Sequence, residues 1–202
     1  MPKGTFLNLP DDKKQTLIQA IKLEFSRVPL YKASITNIIT SANIPRGSFY
    51  QYFEDKEDAF FFLLNEHVKE NKDKFISILR ENNGDLFDTM IEFYRLILTE
   101  GEENPHFLKN IFLNMTYKIE STYASSFIEL DKDGNFTEAI GSFINTAHLN
   151  ISNDKDLTYI MQIIIAVTLR NFVEKFAHDL SIDEAVNHYL NEIKLLKNGL
   201  ER

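Results

Sequence analysis

Apolar side chains recur every three or four residues over most of the chain, the spacing that places them on one face of an α-helix. The first clear stripe consists of Leu17, Ile21 and Phe25, and it predicts a helix over residues 10–26. The 202 residues include only seven glycines and five prolines, which is few for a fold built from many strands and turns. The predicted class is therefore all-α.

Two short helices joined by a tight turn are predicted next. Ser34 is expected to cap the first of them with its hydroxyl group. That helix must end before Pro45, because the residue that precedes a proline is driven out of the α region. The second helix runs over residues 46–53 and turns Phe49 and Phe53 inward. With the preceding long helix as a third wall, this segment has the organisation of a helix-turn-helix unit.

A larger helical domain is predicted after this unit. A long helix over residues 56–82 connects the two parts of the chain. Further helices are predicted near residues 85–100, 105–129, 136–150, 154–179 and 181–198. The predicted domains are residues 1–56, which contain the helix-turn-helix, and residues 57–202.

Charge is distributed unevenly between these two domains. Residues 1–56 contain eight Lys or Arg against five Asp or Glu, whereas the remaining 146 residues contain 14 against 25. The first domain is therefore mildly basic, although the net charge of the whole chain is −8. A basic helix-turn-helix unit is suited to the phosphate backbone of DNA.

Composition also indicates the compartment. The chain contains no cysteine, which excludes disulfides, thiolate metal sites and cysteine nucleophiles and suits a reducing cytoplasm. Its first residues lack the apolar run of a signal peptide. The most apolar stretch, residues 160–169, is too short to span a bilayer. A cytoplasmic protein without a membrane segment is expected.

The second short helix carries side chains that suit contact with DNA. In a helix-turn-helix unit this helix enters the major groove, so its outward side chains meet phosphates and base edges. The outward positions hold Arg46, Ser48, Tyr50, Gln51 and Tyr52. Gly47 leaves room for the backbone to approach DNA closely. An ordinary αα turn in a helical bundle, with both tyrosines half-buried, is the alternative that this pattern leaves open.

The stretch from Ser34 to Asp58 resembles the signature of the TetR (tetracycline-repressor-like) family. That signature begins with a small or basic residue, followed by Gly and then by Ser or Thr. An aromatic residue, a Tyr, one variable position, a His or Tyr, and a Phe come next in that order. A Lys-Glu pair then starts the following helix. Residues Gly47 to Phe53 and Lys56-Glu57 match it. The chain departs from the family at Ile39, which replaces the usual Ala, and at Asn43, which replaces the usual turn Gly. Because Asn tolerates the left-handed conformation, the turn is expected to persist.

This resemblance implies a regulator, usually a repressor, that binds double-stranded operator DNA as a two-fold dimer. Phosphate or backbone contacts are expected from Ser34, Thr36, Ser48, Tyr50, Tyr52 and Lys56. Base contacts are expected from Arg46 to guanine and from Gln51 to adenine, because both pairings have bidentate geometry.

The resemblance also implies two roles for the second domain, dimerisation and binding of a small-molecule effector. The last two helices of each subunit are expected to form the interface through Ile160, Ile164, Val167, Phe172, Tyr189 and Ile193. A large, mainly apolar effector is expected in a pocket lined by Phe62, His67, Phe93, Phe112, Met115, Tyr117, Phe127 and Met161.

A helical metal- or haem-binding protein that uses His67 and His148 is the alternative function. A helical-bundle enzyme would need paired Glu-x-x-His helices, a nucleophile elbow or a phosphate-binding loop, and the sequence contains none of these motifs. No catalytic residue, metal site or cofactor is therefore predicted. A helical interaction protein that has lost DNA binding is disfavoured by the intact Tyr50, Tyr52 and Lys56.

Overall fold

The structure is a computed structural model that describes residues 2–101, 105–127 and 138–200. Within these ranges the regular elements are α-helices and one 3-10 turn, Leu30–Lys32, which confirms the all-α prediction. The helices are α1 Gly4–Leu7, α2 Asp11–Arg27, α3 Ile35–Ser41, α4 Arg46–Tyr52, α5 Lys56–Glu81, α6 Leu86–Gly101, α7 Pro105–Phe112, α8 Tyr117–Phe127, α9 Glu138–Gly141, α10 Asp154–Ala177 and α11 Ile182–Leu200.

Two predicted helices are corrected by the structure. Residues 105–129 do not form one helix, because the Thr116 hydroxyl accepts a hydrogen bond from a backbone N–H of α8 at 3.3 Å and begins a new helix there. In the described part of residues 136–150, the α-helix is limited to α9. After it, the Asn145 side chain accepts the N–H of Ala147 at 3.1 Å, a local bond that competes with helix formation. The short α1 was not predicted.

The turn between α3 and α4 is closed by Asn43 in the left-handed conformation, as predicted. Its φ is 49°. The N–H groups of Asn43 and Ile44 donate to the carbonyls of Thr40 and Ile39 at 3.2 and 3.0 Å. This pair of bonds is the Schellman arrangement that ends many helices. Pro45 then precedes α4 as its N-cap residue, so the chain passes from α3 into α4 through a short turn.

The described chain divides into two compact units. The described residues of Met1–His67 and Asn104–Asn114 form the first unit, and those of Val68–Glu103 and Met115–Arg202 form the second. The unit that contains the helix-turn-helix is therefore larger than the predicted segment 1–56, since it also includes the first part of α5 and all of α7.

Aromatic side chains form much of the core of the first unit. Phe49 and Phe53 are fully buried, as predicted, with ring centroids 5.6 Å apart. Phe6 of α1 lies between Phe53 and Phe62, 5.0 Å from each. α2 packs on both α3 and α7. Asn110 of α7 donates to two carbonyls at the C-terminal end of α2 at 3.0 and 2.9 Å, so α7 holds that end of the helix.

In the second unit α11 packs against α6 and α10. Two tyrosines, Tyr94 and Tyr189, are fully buried there, with ring centroids 4.3 Å apart. The Tyr94 hydroxyl donates to the Asn171 carbonyl at 3.1 Å, and the Tyr189 and Thr168 hydroxyls share a hydrogen bond of 2.7 Å. Burial raises the pKa of both tyrosines well above its ordinary value, so both remain neutral.

α10 is longer than the apolar stretch seen in the sequence. By length and composition it is the one described helix that could cross a membrane, with a mean hydropathy of 1.3. A core helix of a soluble protein passes the same test, and 56% of its apolar window is buried inside the protein. Met161 and Ile164 have no exposed surface at all, which indicates that α10 is a core helix of the second unit.

Candidate nucleic-acid interface

α4 has one buried face and one open face. Phe49 and Phe53 have no exposed surface and fix the helix to the core of the first unit. On the other side Arg46 and Gln51 are exposed, and Tyr50 is 40% exposed. The helix therefore presents a row of hydrogen-bonding side chains that the protein core does not use.

The remaining predicted contact residues lie near this face in sequence. Thr36 and Gly47 are exposed, whereas Ser34, Ser48, Tyr52 and Lys56 are half-buried. All nine predicted residues belong to the first unit. Their contacts with DNA stay predictions, since the structure contains the protein alone.

Neither the backbone conformation nor the packing at Gly47 requires a glycine. It does not adopt a left-handed backbone conformation, and a Cβ at this position would meet no atom within 4 Å beyond its chain neighbours and the backbone of its own helix. Glycine in a helix is less favourable than alanine by about 1 kcal/mol, so Gly47 does not favour the helix itself. A close approach of DNA to the α4 backbone at Gly47 stays a prediction.

Glu24 joins α2 to the start of α3, a role that the sequence did not predict. Its side chain is 3% exposed. The carboxylate accepts two bonds from Arg27 at 2.9 and 2.8 Å, one from the Ser34 N–H at 2.7 Å, and weaker bonds from the Asn37 amide at 3.2 and 3.3 Å. The Ser34 side chain makes no cap bond, which corrects the prediction. The one sequence signal for this role was the position of Glu24, a carboxylate that lies three residues after Ile21 within the apolar stripe.

The surroundings of Glu24 keep it ionised. Burial alone opposes ionisation and acts to raise the pKa. The hydrogen bonds from Arg27, Ser34 and Asn37 outweigh burial and hold the pKa of this carboxyl below its ordinary value of 4.5. Glu24 is thus a charged acceptor at neutral pH, and it fixes the N-terminal end of α3 in place of a local cap.

Lys56, predicted to contact a phosphate, also has a structural role. Its ammonium donates to the carbonyls of Tyr31 and Ala33 at 3.0 and 3.1 Å. Lysine has three donors, so one remains for another acceptor. A substitution at Lys56 therefore disturbs the loop before α3 as well as any phosphate contact, which makes it a poor probe of DNA binding.

The residues predicted to line an effector pocket are divided between the units. Phe62, His67 and Phe112 belong to the first unit, and Phe93, Met115, Tyr117, Phe127 and Met161 belong to the second. The Phe93 and Phe127 rings are buried and lie 5.7 Å apart. Tyr117 is 85% exposed in the single chain, and its place in a pocket stays a prediction.

The predicted dimer residues are mostly core residues of the single chain. Five of them are buried: Ile160, Ile164, Phe172, Tyr189 and Ile193. Val167 is half-buried. The five buried side chains have almost no exposed surface in the single chain. The sequence pattern marked α10 and α11 as apolar but did not distinguish inward from outward faces.

The two histidines of the metal-binding alternative lie in different units. The His67 ring packs on Phe107, with centroids 5.9 Å apart. His148 is exposed and lines a cavity of about 210 Å³ in the second unit together with Asn82, Asp85 and Asn145. Among the residues that the structure describes, no group of three or more His, Asp or Glu side chains is placed to hold a metal ion.

Comparison with known proteins connects this architecture to DNA-binding regulators. The curated HTH-type transcriptional repressor NemR of Escherichia coli K12 is 26% identical over 66 residues, which are 33% of this chain and 33% of NemR. The match thus spans about a third of the length of that relative.

Two solved structures share the fold. A TetR-family regulator from Syntrophomonas wolfei superposes with a TM-score of 0.65 at 20% identity, covering 94% of this chain and 96% of that one. The regulator FadR from Bacillus subtilis, in complex with stearoyl-CoA, gives 0.64 at 16% identity, covering 92% and 98%.

The family model described as "Tetracyclin repressor-like, C-terminal domain" matches residues 85–200. This match covers more than half of the 202-residue chain and includes α6 to α11. The helix-turn-helix signature lies outside the matched range, in the first unit. The chain belongs to the tetracycline-repressor-like family.

Proposed function

We propose that the protein is a sequence-specific transcriptional regulator that represses its target genes and leaves its operator when a small, mainly apolar molecule binds. The observation that carries this proposal is the open face of α4, where Arg46, Tyr50 and Gln51 are exposed opposite two fully buried phenylalanines. Membership of the family and the likeness to the repressor NemR support it. The place of action is the cytoplasm, where operator DNA is found.

We distinguish two classes of contact with DNA, contacts with phosphates and contacts with base edges. Side chains on phosphates fix the position of the helix but carry no sequence information, and we assign this role to Ser34, Thr36, Ser48, Tyr50, Tyr52 and the free donor of Lys56. Side chains on base edges discriminate sequences, and we assign this role to Arg46 and Gln51. The exposed position of both base-reading candidates on α4 supports the division.

Substitutions in these two classes are expected to have different effects. Gln51→Ala should relax sequence preference and cost about 1–3 kcal/mol at one base pair per half-site, because one bidentate contact is lost. Tyr50→Phe should weaken binding to all sequences by a similar factor, because phosphates are common to all of them. The measurement is fluorescence anisotropy with a duplex that the wild-type protein selects from a random library, and with its single-base variants.

The exposed Gln15 of α2 offers the matched control. Gln15→Ala should leave both affinity and preference unchanged. Equal loss on every duplex for Gln51→Ala would reject its role as a base reader. Failure of the wild-type protein to select any duplex, or binding that does not weaken with salt, would reject the DNA-binding function itself.

We also propose that the protein is a homodimer through the outer faces of α10 and α11. α10 keeps a stripe of exposed apolar side chains at Tyr159, Ile163 and Ala166, of which the first two are 56% and 43% exposed. On α11 Leu195 is 73% exposed. Exposed apolar side chains on one helix face are typical of a protein interface. A dimer also allows two α4 helices to meet successive major grooves about 34–36 Å apart.

A charge placed in this stripe is expected to separate the subunits. Wild-type protein at micromolar concentration should sediment with twice the 23.5 kDa mass of the chain, and Ile163→Glu should shift it to the monomer. Leu23→Glu, at an equally apolar and 62% exposed position of α2, is the control and should stay dimeric. A monomeric wild-type protein, or a dimeric Ile163→Glu variant, contradicts the proposal.

The interior of the second unit supports a proposal on the character of the effector. The rings of Phe75, Phe93 and Phe127 contact one another there, with centroids 5.4 to 5.7 Å apart. Such surroundings suit the large apolar part of a ligand. FadR, a structural neighbour, was solved with stearoyl-CoA, a molecule with a long acyl chain. We therefore propose an effector of mainly apolar character.

A further inference from the structure

The C-terminal end of α4 is held by the segment that precedes α2. A helix leaves the carbonyls of its last turn without donors from within the helix. For α4 these include the carbonyls of Tyr50, Gln51 and Tyr52, the residues predicted to face DNA. Each of the three accepts a hydrogen bond from residues 3–5.

Two residues supply all three donors. The main-chain N–H of Lys3 donates to the Tyr52 carbonyl at 2.8 Å, and its ammonium donates to the Tyr50 carbonyl at 2.8 Å. The Thr5 hydroxyl donates to the Gln51 carbonyl. These bonds join positions 46 or more residues apart in the sequence, so they are a product of the tertiary fold.

A buried ring anchors the segment. Phe6 is 1% exposed, and its centroid lies 5.0 Å from Phe53, 5.0 Å from Phe62 and 6.3 Å from Tyr52. Because this ring holds α1 in place, the donors of Lys3 and Thr5 are fixed before any ligand binds. The hydrogen bonds of Lys3 and Thr5 lie at the surface and orient the segment, whereas the buried Phe6 ring attaches it to the core.

We propose that residues 3–6 form a cap that positions the last turn of α4 for DNA and thereby raises operator affinity. The inference rests on the proposed DNA-binding function. The three capped carbonyls belong to the residues whose side chains are assigned to phosphates and bases, so a frayed last turn displaces those side chains together. A site ordered before binding loses less conformational entropy when it binds. Lys3 and Thr5 are positioning residues, since they act through α4.

Point substitutions remove the bonds separately or together. Lys3 has φ of −74°, a value that proline also adopts, so Lys3→Pro removes both donors without altering the backbone. Lys3→Ala removes only the ammonium. Thr5→Val removes the hydroxyl while keeping the shape, and Thr5→Ser keeps the hydroxyl as the rescue variant. The protein is used at full length with any tag at the C-terminus.

Three measurements test the cap: operator affinity, thermal unfolding, and hydrogen exchange of α4 and α2 without DNA. The probe is the duplex selected by the wild-type protein. Each lost bond should weaken binding by about three- to tenfold, and Lys3→Pro combined with Thr5→Val by roughly thirtyfold or more. Thr5→Ser should stay within about twofold of wild type. In the combined variant the α4 amides should exchange faster, while the α2 amides and the melting temperature change little.

The outcomes separate this inference from the function on which it rests. The proposed role of the cap is overturned if the combined variant binds operator with wild-type affinity. It is also overturned if Thr5→Ser loses as much operator affinity as Thr5→Val. A loss that merely follows global unfolding, with α2 and α4 exchanging faster to the same extent, overturns it too. If the wild-type protein selects no duplex, the proposed function is rejected. The role of the cap in operator affinity is then rejected as well.

Discussion

Replacing Gly47 with leucine is expected to weaken operator binding by about a hundredfold or more while the protein stays folded, a loss of roughly 2.7 kcal/mol. Beyond its chain neighbours and the backbone of its own helix, no atom lies within 4 Å of a Cβ at this position, so the new side chain extends from the open face of α4 without a clash. Leucine also favours a helix over glycine by about 1 kcal/mol, so stability should not fall. On DNA the same side chain occupies the space that the backbone of α4 needs. Anisotropy and thermal unfolding measure the two effects separately.

An exposed position of α2 offers the control. Gln15 is exposed, so Gln15→Leu adds the same surface leucine away from α4. Gln15→Leu should therefore bind operator like the wild-type protein. If Gly47→Leu also binds like wild type, the backbone of α4 does not approach DNA closely, and the docking face of this helix must be reassigned.

Replacing Glu24 with alanine is expected to lower the free energy of unfolding by about 3 kcal/mol. The change removes the acceptor of the Ser34 N–H and of the Asn37 amide, and it leaves the start of α3 without its cap. Arg27 is 53% exposed, so water screens its pairing and the loss comes mainly from the other two partners. Urea unfolding at neutral pH measures the change. A difference below about 0.5 kcal/mol, the range of ordinary surface substitutions, would contradict the assigned role.

Glu24 also has a pH signature with a definite sign. Its pKa in the folded protein lies below the ordinary value of 4.5. The carboxylate therefore stabilises the fold fully above about pH 5, and this contribution is lost as the pH falls through the folded pKa. Glu24→Gln keeps an acceptor but cannot titrate, so the stability difference between wild type and variant should shrink as the pH falls below the ordinary value of 4.5 and through the folded pKa. A difference that is constant over this range would show that Glu24 does not titrate as described.

The sequence alone was sufficient for features that depend on neighbours along the chain. The turn around Asn43 and Pro45 followed from the steric limits of a residue before proline and from the tolerance of Asn for left-handed φ. The inward position of Phe49 and Phe53 followed from the helical period, because residues four apart share a face. These signals act over a few residues, and the structure confirms them.

The tertiary structure alone decided which groups meet across long stretches of sequence. Glu24 caps α3 from ten positions away, Lys56 holds the loop at Tyr31, and Lys3 reaches the end of α4 across 47 positions. Periodicity marked α10 as apolar but could not show that Ile164 faces the core while Ile163 remains 43% exposed. Helical period and dipeptide sterics are local properties, whereas the partner of a carboxylate or an orphan carbonyl is set by which helices pack together. For this reason the sequence predicted a helix-turn-helix protein, and the structure determined how its recognition helix is held.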